Sequence, residues 1–163
     1  MRFLILFLSV FCLSAPFAPA ADDKKDPPPL KLSDDEKTLL DLTNAERAKE
    51  KLPPLKANPL LFQAARDHSA NMAKKGEMKH VLDGKNPQDR LDAVHYDLRK
   101  CGENIAYSDG SSLQDIMKGW MNSKVHRENI LDPAFAEVGI GVARNDKGEI
   151  YYTQDFGVAF EKP

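Results

Sequence analysis

The chain reads as an α+β protein in which helices pack against a small, mainly antiparallel sheet. Two observations carry this. Apolar residues recur at helical spacing through most of the chain, and the last quarter changes to a period of two. Helices first and strands last is the order of an α+β layer architecture rather than of an alternating parallel one.

The elements follow in order. Arg2, the apolar run Phe3–Leu13 and the small-residue exit Ala18-Pro19-Ala20 have the build of a secretory signal peptide over residues 1–20. The run is too short to span a bilayer, and Phe11 before Cys12 is bulky for a lipid-anchoring cysteine. Residues 21–32, with Asp22–Asp26 and Pro27-Pro28-Pro29, are expected to form a disordered, charged tether. Leu30 and Leu32 are its only large apolar residues, able to dock on the domain that occupies 33–160.

Ser33 and Glu36 stand in capping-box relation, so a helix starts there and runs to about Lys51, with Leu39 and Leu42 inward. Pro53-Pro54 stops it. Asn58-Pro59 opens a second helix as cap and first residue. Leu61, Ala64, Ala65, His68 and Met72 share one face of it, which makes His68 a core histidine bonded to nearby backbone. Gly76 suits the left-handed position just past its end. After a loop holding His80, a short helix is expected over 87–94. Leu113, Ile116, Met117 and Trp120 mark a further amphipathic helix. Val138, Ile140 and Val142 alternate with Gly139, Gly141 and Ala143, a strand with one nearly bare face that lets another element approach its backbone. Asn145–Gly148 is a turn, and 149–156 is the partner strand. Trp120, Tyr151, Tyr152 and Phe156 belong to the core or the sheet faces.

The net charge is −2, with no basic face to recommend nucleic acid as a partner. No second apolar run could cross a membrane once the signal peptide is removed. Cys101 is the only cysteine outside that segment, so no internal disulfide is expected. A buried, inert Cys101 is favoured over a Cys–His nucleophile pair with His80 or His126. The chain is expected to be a secreted or periplasmic monomer.

Three residues carry the candidate chemistry. His80 follows a helix, His126 lies in a polar turn between a helix and a strand, and Glu103 is a carboxylate entering the apolar Ile105-Ala106-Tyr107. A charge in that setting must be paired or face a cavity. Spacing alone does not bring the three together.

Their surroundings resemble a known family. Gly119-Trp120, Ser123, His126-Arg127-Glu128-Asn129-Ile130-Leu131, Pro133, Phe135, Glu137–Val142 and Tyr151–Gly157 stand in its order, after His80 and Cys101-Gly102-Glu103-Asn104-Ile105-Ala106. From about Asp35 to Phe160 the chain resembles the CAP superfamily of cysteine-rich secretory, antigen 5 and pathogenesis-related 1 proteins, in its bacterial SCP branch. The resemblance implies a three-layer α–β–α sandwich. It also implies a central cleft lined by two histidines and two acids, of which His80, Glu103 and His126 match three. Ser123 stands where the fourth is usually acidic, and Glu137 is the candidate to substitute for it. Asn44 and Arg47 match residues that serve the family's fold.

Two imidazoles beside a carboxylate suit a weakly held divalent cation such as zinc, with His80 and His126 as ligands; no required cofactor is expected. No His-Glu-x-x-His is present. No single reaction is common to the family, whose members are linked to lipid binding, signalling and defence. The expected function is an extracellular binding module without catalysis, its cleft taking a small molecule, lipid, peptide or cell-surface component. The alternative is a metal-dependent hydrolase using His80, Glu103 and His126.

Overall fold

The structure, a computed structural model, describes residues 30–160. The signal-peptide and tether segments up to residue 29, Cys12 included, lie outside the described residues. Helices α1 (Asp34–Lys49), α2 (Pro59–Lys75), α3 (Pro87–Ala93), α4 (Leu113–Asn122) and α5 (Lys124–Leu131) surround strands β1 (Lys56–Ala57), β2 (Leu98–Ser108), β3 (Glu137–Arg144) and β4 (Ile150–Ala159). The sheet order is β1-β3-β4-β2, antiparallel except for the short parallel pair β1–β3. α2 and α3 cover one face and α1, α4 and α5 the other, which is the expected three-layer sandwich. No described helix is long and apolar enough to cross a membrane.

Local chemistry sets the helix ends where the sequence placed them. Ser33 Oγ accepts from the Glu36 amide and Glu36 returns the bond to Ser33 N–H, closing the capping box of α1. Glu36 also receives two bonds from Arg66, tying α1 to α2. Asn58 caps α2, and Gly76 takes the left-handed conformation at its end with φ 66°. Leu30 and Leu32 do pack against the domain.

Strand alternation divides the core. Val138, Ile140, Tyr152 and Phe156 point towards α1, α4 and α5, where they meet Leu39, Met117, Trp120 and Ile130. The opposite face of β3 is bare, and α2 lies directly on it. A Cβ on Gly139 would sit 2.0 Å from the Leu61 carbonyl carbon, and one on Gly141 would sit 2.1 Å from the Ala65 oxygen. Backbone meets backbone there, so no rotamer change could relieve a larger residue. Ser69 of α2 uses the close approach, its hydroxyl donating to Gly141 O at 3.0 Å and lying 2.8 Å from Thr153 Oγ1.

Arg47 closes the other side. It is 0% exposed and donates to the carbonyls of Pro53, Ile130, Asp132 and Phe135. Beside it, Asn44 makes a paired bond with the Leu55 backbone. Together they fasten α1 to the connections that lead into β1 and β3, as the resemblance implied.

Two stability outcomes follow. Gly139→Ala or Gly141→Ala should each cost about 3 kcal/mol or more through forced separation of α2 and β3. Gly119→Ala, on α4 with nothing within 4 Å of an added Cβ, should instead gain roughly 0.5–1 kcal/mol. Urea unfolding of the three variants tests the contrast, and equal effects would refute it. Arg47→Lys should lose about 3–5 kcal/mol, because one ammonium cannot serve four carbonyls arrayed around a planar fork. Wild-type stability in that variant would show that Arg47's charge, not its geometry, matters.

Candidate functional site

β2 is the exposed edge of the sheet, and the site is built across it. The strand was not expected from its sequence, yet its pleat organises everything here. Successive residues point to opposite faces, so Glu103 faces the α2 side and Asn104 faces the α5 side. Each holds one bank of a groove.

On the α2 side the Glu103 carboxylate is buried, with a partner on each oxygen. His80 Nδ1–H donates to Oε1 at 2.6 Å, and Arg90 Nη2–H donates to Oε2. Because a carboxylate only accepts, this bond places a proton on His80 Nδ1. Arg90 also donates to the carbonyls of His80 and Lys85, so one guanidinium holds both the loop and its acid. His80 is half exposed. Behind this pair His68 Nε2 lies 3.8 Å from Glu103 Oε2, wholly buried. Burial drives the His68 imidazole pKa down to about 4, opposed first by the charge of Glu103 and then by a backbone bond to Lys79. His68 is therefore the expected core histidine, and it is neutral at ordinary pH.

On the other face Asn104 Nδ2 donates to His126 O and to Gln154 Oε1, both at 3.1 Å. Gln154 continues to Thr43 of α1 at 2.7 Å, while Asn129 donates to Asn104 Oδ1 and to Glu103 O. This ladder of side-chain amides pins the first turn of α5 to the sheet. His126 lies in that turn of helix rather than in the polar loop expected from the sequence, and Ser123 is its N-cap residue. The Ser123 hydroxyl makes no capping bond and lines the groove instead. Burial lowers the His126 imidazole pKa, and the neighbouring charge of His80 lowers it further.

The groove between the banks encloses about 370 Å³ and is walled by Met78, Ile105, Ile116, Trp120, Ser123 and His126. Its floor is the strand edge. Trp120 Nε1–H donates to Ile105 O at 3.1 Å, as Asn129 does to Glu103 O, so outward carbonyls that would recruit another strand are covered.

The resemblance implied one cleft bordered by His80, Glu103, Ser123 and His126; Ser123 and His126 line this groove, while His80 and Glu103 form a bonded pair on the α2 side of β2. Glu137 is at neither place. It is the first residue of β3, where Tyr96 Oη donates to it at 2.6 Å and Asn58 Nδ2 at 3.0 Å, so its carboxylate serves the β1–α2 corner. The tyrosine hydroxyl's pKa is raised by burial and by that carboxylate. Cys101 packs with Leu61 and Tyr96, and burial raises its thiol, so it behaves as a small hydrophobe and makes no pair with His80 or His126. Among the described residues no three His, Cys, Asp or Glu side chains are disposed to hold a metal ion. A divalent cation would meet the imidazoles before Glu103, which is buried beneath His80 and Arg90. Arg90, Asn104, Asn129 and Asp155 were missed by sequence reasoning. The signal for two of them was the Glu103-Asn104 pair read as strand alternation.

Known proteins share this chain's family and fold. The family model of the cysteine-rich secretory protein family, CAP, matches residues 40–156. The uncharacterized protein YkwD of Bacillus subtilis (strain 168) is 35% identical over 144 residues, 86% of this chain but 55% of that protein. An extracellular protein containing an SCP domain from Bacillus anthracis str. Ames is 31% identical with a TM-score of 0.67, covering 76% of this chain and 40% of the other. An outer surface protein from Borrelia burgdorferi shares the fold, with a TM-score of 0.74 at 20% identity over 80% of this chain and 97% of its own. This chain therefore spans little more than half of the first relative and less than half of the second. It belongs to the cysteine-rich secretory protein family, CAP, alongside the bacterial SCP domains.

Proposed function

We propose that this domain is an extracellular binding module without catalysis, whose groove takes the apolar part of a small molecule, lipid or cell-surface component and meets its polar end with His126 and Ser123. The observation that carries the reading is the state of Glu103. A general base or metal ligand must reach the substrate or ion, and this carboxylate is buried, with His80 on one oxygen and Arg90 on the other. The groove itself is walled mainly by apolar side chains. Of the five large hydrophobic side chains left exposed among the described residues, Met78 and Tyr107 line the groove. Val81 and Val125 are chain neighbours of His80 and His126. Exposed apolar surface concentrated at one place marks an interaction site. The extracellular setting is supported by the build of residues 1–20 and by the Bacillus anthracis SCP protein, which is itself described as extracellular.

Trp120 is the only tryptophan of the chain and reports on the groove directly. A fatty acid brominated along its chain should quench Trp120 fluorescence saturably. Met78→Asp, at an exposed wall position, should weaken that binding about tenfold or more, the loss of one buried methionine contact. Linear, unsaturable quenching would refute the reading. Hydrolysis of peptide or ester substrates abolished by His126→Ala but kept by His95→Asn would replace it with the hydrolase. His95 has φ 59°, which asparagine tolerates.

Any divalent cation bound at the groove is held by His80 and His126 with water completing its shell. Zinc affinity should therefore be weak and should fall below about pH 6 as protons compete for the imidazoles. Calorimetry of wild type against the His80→Ala, His126→Ala double variant tests this, and equal binding would place the zinc elsewhere.

A further inference from the structure

Asp155 is 1% exposed in the middle of β4, and neither of its oxygens meets an N–H or O–H group. A bare carboxylate there would carry a large desolvation cost. Its position explains how the cost is avoided. Asp155 stands directly opposite Glu103 in the β2–β4 ladder and opposite Gly139 on the β3 side. Residues directly opposite in an antiparallel pair share a face, so the two carboxyl groups lie together under α2. Gly139 brings no side chain.

The charged and titratable groups around the pair are few. Arg90 reaches in from α3, His68 from α2, His80 from the loop beyond Glu103, and Cys101 is next along the same face of β2. His68 is neutral, and the Nη2 of Arg90 is engaged by Glu103. One guanidinium therefore faces two acids, and the pair needs one proton. Glu103 already accepts from His80 and from Arg90, so Glu103 is the carboxylate and the proton belongs to its neighbour.

We propose that Asp155 is a positioning residue: as the acid, it donates a hydrogen bond to Glu103 and holds that carboxylate between His80 and Arg90. A third donor fixes the orientation of Glu103, which in turn keeps the proton of His80 on Nδ1. The imidazole nitrogen turned away from Glu103 is then Nε2. Burial first, and then the charge of Glu103, push the Asp155 carboxyl well above the usual range, in agreement with the geometry. This role holds whatever the groove binds, and its tests need no ligand, so they succeed or fail apart from the binding reading.

Infrared difference spectroscopy of the intact protein at pH 7 is the direct test. Wild type should show a carboxylic-acid C=O band that Asp155→Asn removes, and a wild-type spectrum without that band overturns the proposal. Nitrogen-15 NMR then separates positioning from packing. Asp155→Asn keeps an N–H donor and should keep the His80 Nδ1–H tautomer, whereas Asp155→Leu should give both tautomers. An unchanged tautomer in Asp155→Leu overturns the role. Should the leucine variant not fold, melting temperature against pH decides. A carboxyl whose folded pKa is raised stabilises fully below the unfolded value near 4 and loses that contribution as pH climbs through the folded one. The wild-type melting temperature should therefore fall relative to Asp155→Asn as pH rises, and parallel profiles overturn the proposal.

Discussion

The contact between the backbone of α2 and the glycine face of β3 is the constraint on which the rest of this structure depends. Gly139 and Gly141 let the helix settle where any Cβ would collide with its peptide groups. That closeness buries the polar side chains that reach into the seam. Ser69 finds Gly141 and Thr153, His68 is held neutral by burial, and Asp155 faces Glu103 across the ladder. Burial turns ordinary polar residues into a specified arrangement, since an unpaired group there costs much more than at a surface.

The site is the point where this seam opens at the sheet edge. β2 has α2 and the His80 loop on one side and α5 on the other, with its outer edge covered by Trp120 and Asn129. Two adjacent residues do the linking. Glu103 fastens the loop through His80 and Arg90, and Asn104 fastens α5 through the carbonyl of His126. The groove is thus framed by backbone-anchored elements, and its width is set by the strand pleat rather than by the flexible ends of side chains. A preformed apolar groove of this kind loses little freedom on binding.

Much of the scaffold was legible in the sequence for specific reasons. Ser33, Asn58 and Gly76 each have one energetically preferred place at a helix end, and the bare side of Val138–Val142 announced a close approach. β2 was not legible. Leu98–Ser108 carries Glu103 and Asn104, which are buried by pairing and not by hydrophobicity, so the period of two is invisible to an apolar pattern. α5 escaped because only Ile130 among its residues is buried. The meeting of His80, Glu103 and His126 came from the family resemblance, since residues distant in the chain converge through topology that spacing does not encode. Glu137 looked eligible by its position before a strand, and the hydroxyl of Tyr96 claims it.

Charge placement also explains what Ser123 does to the site. With an acid at that position the groove would hold a second carboxylate across from the two imidazoles, one free of Arg90 and open to a cation or a water. With serine, the nearby carboxylates are Glu103, paired with Arg90 beneath the His80 ring, and Asp115, which lines the groove while capping α4 through Ser112. Beside position 123 the groove presents the hydroxyl of Ser123 and the imidazole of His126 with its lowered pKa. Neutral polar groups at one end of an apolar wall orient a ligand without demanding that it carry charge. The charge of Glu103 is therefore held beneath the sheet edge by Arg90, and the acid that lines the groove, Asp115, is committed to the cap of α4.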